Sequence, residues 1–347
     1  MTKRAVLVGC GAMAKGWLKA LAAPALVGRV EIVGLVDINL AAAGALRDEF
    51  GLSSAMTGSD LEAMLAATKP DLLFDVVVPS ARRDVVLAGL RHGCHVLTEK
   101  PMAASLAEAE QIVTAAKAAG RVHAVVQNRR FVDGVRRIRQ TIASGVLGEL
   151  TALHADFFIG AHFGGFREQM ENVLLLDMAI HTLDAARFMA GADPVAVYCL
   201  ETNPRGSWYR HGAAAAAIFE FANDLVFTYR GSWSAEGANT SWESAWRIIG
   251  TKGTLIWDGA ERYEAHRVAG DEGFFRPLEP IPVPAASDAG QTEGHVSVIA
   301  EFLDAIASGR APETAGSDNI KSLAMVFGAI ESARTRQRVQ IKLQETA

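Results

Sequence analysis

Three polar residues in the apolar run "LLDMAIHTLD" (Leu175–Asp184) have types and spacing suited to proton transfer: Asp177, His181 and Asp184. On a helix they stand at i, i+4 and i+7, on one face. A carboxylate one turn from an imidazole can accept a ring N–H and fix the tautomer, leaving the other nitrogen to exchange a proton with substrate. The competing reading is a structural histidine bridging neighbouring segments, and for an isolated Asp-x-x-x-His it is the ordinary one. A second candidate group is "EKP", Glu99–Lys100–Pro101, which follows the strand-like run His95–Glu99. A lysine there can polarise a substrate oxygen and stabilise a developing alkoxide. Standing alone it reads as a surface charge.

The front of the chain tips both readings toward chemistry. Directly after a first apolar strand comes "GCGAMA", Gly9-x-Gly11-x-x-Ala14. The first glycine permits a tight turn, the second lets backbone approach a pyrophosphate, and the small Ala14 allows close strand–helix packing. A diphosphate then lies at the helix N-terminus, where free amides and the dipole favour an anion. Asp37, at the tip of the second strand, is placed to accept hydrogen bonds from ribose hydroxyls. It would repel a 2′-phosphate, and no arginine follows it in Ile38-Asn39-Leu40, so NAD is favoured over NADP. The bland alternative is that Asp37 caps the next helix, and one aspartate can serve both purposes. The candidate cofactor contacts are Gly9, Gly11, Ala12, Met13, Ala14, Asp37, Ile38, Pro79, Glu99, Lys100 and Asn128.

These groups need elements to position them. "AVLVG" (Ala5–Gly9), "EIVGLVD" (Glu31–Asp37), "LLFDVVV" (Leu72–Val78), "HVLTE" (His95–Glu99) and "VHAVV" (Val122–Val126) read as buried strands. Helical segments separate them; Ser105–Gly120 has a serine N-cap, Glu108 at the third helical position and a glycine stop. Strands alternating with helices predict βαβ units and a parallel, doubly wound sheet over residues 1–128. From 129 to 347 the pattern changes to one helix (Asp133–Gly145) and then consecutive strands. These are Glu149–Phe158, Pro194–Thr202, Ala213–Phe221, Asp224–Ser232, Glu243–Gly250 and Gly253–Gly259, before two closing helices near 295–308 and 317–334. Strands without crossover helices predict a large, mostly antiparallel open sheet in an α+β second domain.

Composition narrows the function classes. A chain of 347 residues is too long for one ordinary core. A net charge of −5 gives no global field favouring nucleic acid. The basic cluster Arg129, Arg130, Arg136, Arg137 and Arg139 reads as a solvated helix face or local ion pairing. Cys10, Cys94 and Cys199 lie far apart with no Cys-x-x-Cys spacing, which argues against a disulfide framework or a zinc site and suits a reducing cytoplasm. No apolar run approaches the roughly 20 residues of a membrane span. Lys3-Arg4, the apolar run after them and "AMA" mimic a secretion signal, but the run is too short and ends in glycine.

"GCGAMA", "EKP" and "DMAIHTLD", in this order and spacing, resemble the glucose–fructose oxidoreductase / inositol dehydrogenase / rhizopine catabolism family, Gfo/Idh/MocA. The resemblance runs nearly end to end and includes "IASGVLGEL" (Ile142–Leu150), "IIGTKGTLIWDG" (Ile248–Gly259) and "FLDAIASGRAP" (Phe302–Pro312). It implies a Rossmann domain followed by a domain whose open sheet often mediates homodimers or homotetramers. It implies hydride transfer between NAD(P) and a secondary alcohol or hemiacetal of a sugar, cyclitol or related polyol. The family's catalytic lysine corresponds to Lys100, and its Asp and His to Asp177 and His181.

Oxidation of a carbohydrate hydroxyl is the expected activity, with no metal. His181, oriented by Asp177, takes the hydroxyl proton while Lys100 hydrogen-bonds the same oxygen, or the two exchange these roles. Arg167 and Asn172 join Lys100, Asp177 and His181 as candidate substrate contacts, although an ion pair explains Arg167 equally well. A reductase acting on a keto-sugar or a dihydrodiol-like substrate, and a non-catalytic NAD-binding regulator on the same fold, are the alternatives. The complete Lys100, Asp177 and His181 set argues against the regulator. The chain departs from the family pattern at Ala179, which replaces a usual glycine, and at "MENV" (Met170–Val173), where relatives often have glycines. It departs again at "PSARRD" (Pro79–Asp84), where Arg82 and Arg83 stand near a usual histidine, so a cofactor-side contact is expected to differ.

Overall fold

The computed structural model describes residues 2–287 and 289–342. It divides into two compact units, residues 2–128 with 293–320, and residues 129–292 with 321–342. The segment 293–320, grouped by sequence with the second domain, therefore returns to the first. Its helix lies against the first helix of the chain, and Val125 N donates to Thr314 O at 3.0 Å.

The first unit alternates β1 (Lys3–Val8), α1 (Ala12–Leu21), β2 (Val30–Val36), α2 (Leu40–Glu49), β3 (Met56–Gly58), α3 (Leu61–Thr68), β4 (Leu72–Asp75), α4 (Pro79–Arg91), β5 (His95–Thr98), α5 (Leu106–Ala119) and β6 (His123–Val125). All six strands are parallel, in the order β3-β2-β1-β4-β5-β6. That is the doubly wound Rossmann order, whose direction reverses between β1 and β4. Apolar runs such as "LLF" in β4 are buried completely, as strands covered on both faces must be. Ser105 caps α5 as expected, accepting from Glu108 N at 3.2 Å, and Gly120 ends it at φ +59°.

Strand β4 is shorter than the apolar run "LLFDVVV" suggested. Asp75 ends it, because its fully buried carboxylate accepts from Val77 N at 3.1 Å and Arg82 Nε at 3.0 Å. Those bonds fold residues 76–78 into the turn that feeds α4, with Pro79 in its first turn.

The second unit carries α6 (Asp133–Ala143), β7 (Leu150–Phe158), α7 (Ile180–Ala190), β8 (Pro194–Thr202), β9 (Ala214–Phe221), β10 (Val226–Ser232), β11 (Ala245–Gly250), β12 (Gly253–Trp257), β13 (Tyr263–Val268), β14 (Leu278–Pro280) and β15 (Val339–Gln340). Helix α8 (His295–Ser308) belongs to the first unit, and α9 spans Gly316–Thr335. The nine strands run β14-β13-β12-β11-β7-β10-β9-β8-β15, antiparallel except for the β7–β10 pair. On the covered face Phe219, Phe227 and Trp246 stack in sequence, and Trp246 pairs across to Trp257. Gly134 lets α6 lie on the Trp257 ring; a Cβ there would meet the ring at 2.1 Å.

The basic cluster is not a solvated face. Arg130 and Arg136 are buried, Arg130 in a bidentate pair with Asp184 and Arg136 between the rings of Phe131 and Phe188. Arg129 pairs with Glu243, Arg137 donates to the carbonyls of Val283 and Pro284, and Arg139 donates to Met189 O. Among the described residues no helix is long and apolar enough to cross a membrane.

Candidate active site

In the first unit the expected cofactor residues gather at the carboxyl ends of β1, β2, β4, β5 and β6. Gly9 follows β1 at φ +91°, with its N–H donating to Val36 O at 2.8 Å. A Cβ on Gly9 would lie 2.7 Å from Val76 O, so the turns after β1 and β4 touch at the switch point through this glycine. Gly11 differs: its φ is −78°, and a Cβ on it would project into open space. It precedes α1, whose first turn has no side-chain cap, which leaves amide donors for an anion. Ala14 is buried against the sheet, whereas Met13 is half-exposed.

Gly9 and Gly11 make separable predictions. Gly9→Ala combines a left-handed backbone with a contact against main chain and is expected to cost about 2–4 kcal/mol of stability. Gly11→Val should unfold in urea near the wild-type midpoint but weaken NAD binding by more than about tenfold. Equal NAD affinity of Gly11→Val and wild type by calorimetry would rule out a diphosphate at this turn.

Asp37 is tied back to the same turn. Its Oδ2 accepts from Cys10 N at 2.7 Å and its Oδ1 from Asn39 N at 2.8 Å. The cap of α2 is Asn39, which accepts from Ala41 N at 3.2 Å, so Asp37 is not needed for capping. Beside it Ile38 is 98% exposed, an apolar side chain with no protein cover.

Glu99 and Lys100 follow β5. The Glu99 carboxylate is buried and held from within the unit: Oε1 accepts from Trp17 Nε1 at 2.8 Å and lies 3.3 Å from His295 Nε2, and Oε2 accepts from Lys100 N at 3.2 Å. Burial pushes this carboxyl up, but the His295 ring, the Trp17 indole and the Lys100 charge outweigh it and hold it below the usual range. Glu99 is thus an ionised brace. Asn128, after β6, places Nδ2 3.3 Å from His295 Nδ1.

Arg82 is buried and spent on structure. Besides Asp75 it donates to Val77 O and Pro101 O, clamping the turn after β4 to the turn that carries Lys100. Arg83 is half-buried and pairs with Asp84. The roles of Trp17 and His295 are not legible in the sequence, because their partner Glu99 lies 82 and 196 residues away.

In the second unit Asp177 lies in a wide π-helical turn, Leu174–Ala179, that runs directly into α7. Such turns insert one extra residue into a helix and recur at functional sites. Arg167 Nε donates to Asp177 Oδ2 at 2.9 Å, and its guanidinium lies 5.2 and 5.0 Å from the ring centres of Phe163 and Phe166. His181, in the first turn of α7, is 9% exposed. Asp184 is fully buried: Arg130 holds both its oxygens, and Ser322 Oγ donates to Oδ1 at 2.6 Å. It is structural. Asn172 has φ +49°, the left-handed conformation that glycine adopts freely and asparagine tolerates, so "MENV" makes its bend without a glycine. Its Nδ2 donates to Glu201, whose carboxyl is pushed up by burial and only partly relieved by that bond. Among the described residues no group of three or more His, Cys, Asp or Glu is arranged to hold a metal ion.

Comparison with known proteins agrees with both units. Residues 3–127 match a family model described as "Oxidoreductase family, NAD-binding Rossmann fold", and residues 135–256 match the "GFO/IDH/MocA C-terminal domain". A 1,5-anhydro-D-fructose reductase of Ensifer adhaerens is 24% identical over 348 residues, spanning 97% of this chain and 98% of its own. A D-apiose dehydrogenase of Paraburkholderia graminis is 24% identical over 345 residues, spanning 98% and 90%. The crystal structure of an oxidoreductase from Agrobacterium radiobacter, in complex with NAD+, L-tartaric acid and magnesium, superposes with a TM-score of 0.87 at 23% identity, covering 98% of this chain and 99% of that one.

Proposed function

The chain belongs to the Gfo/Idh/MocA oxidoreductase family, and from that premise we propose that it is an NAD-dependent dehydrogenase acting on a secondary hydroxyl or hemiacetal of a sugar, cyclitol or related polyol. The turn at Gly9–Gly11 supports the reading most directly. A glycine that admits no side chain and a glycine facing open space precede an uncapped helix, beside a carboxylate held by Cys10 and Asn39 amides. This arrangement fits a dinucleotide diphosphate with its ribose hydroxyls on Asp37. The negative charge of Asp37, and the absence of a cation in Ile38-Asn39-Leu40, favour NAD over NADP.

Bound NAD supplies the hydride acceptor. The chain's own part is to bind, orient and move a proton. Lys100 and His181 are the two candidates for receiving the hydroxyl proton, and Asp177 fixes the His181 tautomer and balances its charge. Arg167 anchors Asp177 at 2.9 Å, so its first role here is to position that carboxylate rather than to meet substrate. The reverse reaction uses the same groups.

A cytoplasmic homodimer or homotetramer is part of the proposal. Its support is three buried free cysteines and a sheet face on which Tyr198, Leu200 and Ile218 stand exposed on neighbouring strands. The deciding experiment follows NADH and NADPH absorbance with a panel of aldoses, anhydrosugars, cyclitols and sugar acids, and with ketones in the reductive direction. Turnover of at least one panel member is expected, with kcat/KM for NAD at least about tenfold above NADP. NAD binding without turnover of any panel member would favour the regulator.

A further inference from the structure

His295 lies far in sequence from the motifs that announce the cofactor, yet its two ring nitrogens meet two of the residues at the carboxyl-terminal edge of the first sheet. Nε2 lies 3.3 Å from Glu99 Oε1 and Nδ1 lies 3.3 Å from Asn128 Nδ2. The chemistry of the neighbours assigns the ring. An amide nitrogen only donates, so Nδ1 turns a lone pair to Asn128; a carboxylate only accepts, so Nε2 carries the proton toward Glu99. One neutral tautomer satisfies both sides. With Nδ2 of Asn128 engaged, Oδ1 is left over, buried and without a partner among the described residues. A buried acceptor in that condition is costly unless a ligand N–H reaches it. Asn128 follows β6 as Lys100 follows β5, at the edge where ligands of parallel α/β sheets lie.

We propose that His295 is a positioning residue for the nicotinamide end of NAD: by holding the Asn128 amide nitrogen it turns Oδ1 toward the N–H of the nicotinamide carboxamide, and by holding Glu99 it steadies the turn bearing Lys100. The proposal rests on the cofactor reading above. Without the ring, the Asn128 amide loses the partner that sets its orientation, and Glu99 keeps only Trp17 and the Lys100 amide. His295 itself takes no proton from substrate.

The test measures NADH affinity by fluorescence and steady-state constants for His295→Leu, His295→Gln, Asn128→Ala and the double variant His295→Leu/Asn128→Ala. The leucine variant should weaken NADH binding by about tenfold and raise KM for NAD similarly, with kcat falling less than about threefold. Glutamine offers one donor and one acceptor, and should restore most of the affinity. Asn128→Ala alone should match His295→Leu, and the double variant should be no worse than either. A ring that served only packing would give no rescue by glutamine and no coupling to Asn128. Wild-type NADH affinity in the leucine variant, or a double loss equal to the product of the singles, overturns the proposal. If His295→Leu does not fold, full affinity of Asn128→Ala overturns it as well. No NADH binding by the wild type overturns the cofactor reading and this proposal together.

Discussion

Replacing Lys100 with methionine is expected to lower kcat by about three orders of magnitude while the NAD dissociation constant stays within about threefold. Methionine keeps the unbranched stem and removes the ammonium, so the change isolates its contribution to the reacting oxygen. The backbone of the turn is held independently of that side chain. Glu99 accepts from Lys100 N at 3.2 Å, and Arg82 donates to Pro101 O from the other side. Glu99 is in turn fixed by Trp17 at 2.8 Å, deep in the unit. A loss of activity with NAD affinity intact therefore reports chemistry, because the scaffold has its own supports. More than about a tenth of wild-type kcat in Lys100→Met would remove the lysine from the reaction. A parallel loss of NAD affinity would make it a cofactor contact instead.

The contrast between Glu99 and Arg82 shows what the sequence could and could not say. The turn after β1, the carboxylate at Asp37 and the lysine after β5 were legible because each is written in a few consecutive residues and obeys local backbone rules. Glycine at φ +91°, for example, follows from the tight turn that any such motif must make. Arg82 has no such local signature. Its place near a histidine usual in relatives says only that a cofactor-side contact differs, and its partners Asp75 and Pro101 reach it from two other elements. His295 was invisible for the same reason, 196 residues from Glu99 in sequence. The arginine cluster divides: ion pairing holds for Arg129 with Glu243 and Arg130 with Asp184, whereas the solvated face does not, because Asp184 and the rings of Phe131 and Phe188 cover Arg130 and Arg136. The wide turn at Leu174–Ala179 has no periodic signature, since an extra residue in one turn leaves the hydrophobic pattern on either side unchanged.

That turn bears on the last expectation, a cycle on the second unit's pair. Asp177→Asn and His181→Ala are each expected to lower kcat by about two to three orders of magnitude, and the double variant should fall no further than about tenfold below the worse single. His181 is nearly sealed from solvent, so a proton arriving on its ring has little water to stabilise the charge. A carboxylate four residues earlier is the natural counterion, and the asparagine variant keeps its shape without its charge. The aspartate is itself anchored by Arg167 Nε at 2.9 Å, with the guanidinium between Phe163 and Phe166, which limits the positions it can take. Two groups that serve one proton lose their joint function when either is removed; two that act separately lose it twice. Losses that multiply, giving a double variant about four to six orders of magnitude down, would separate Asp177 from His181 and return the histidine to a structural role. Arg167→Met divides the remaining explanations. If the arginine acts by fixing Asp177, its removal should lower kcat by about tenfold with KM for the sugar nearly unchanged; a rise in KM alone would make it a substrate contact.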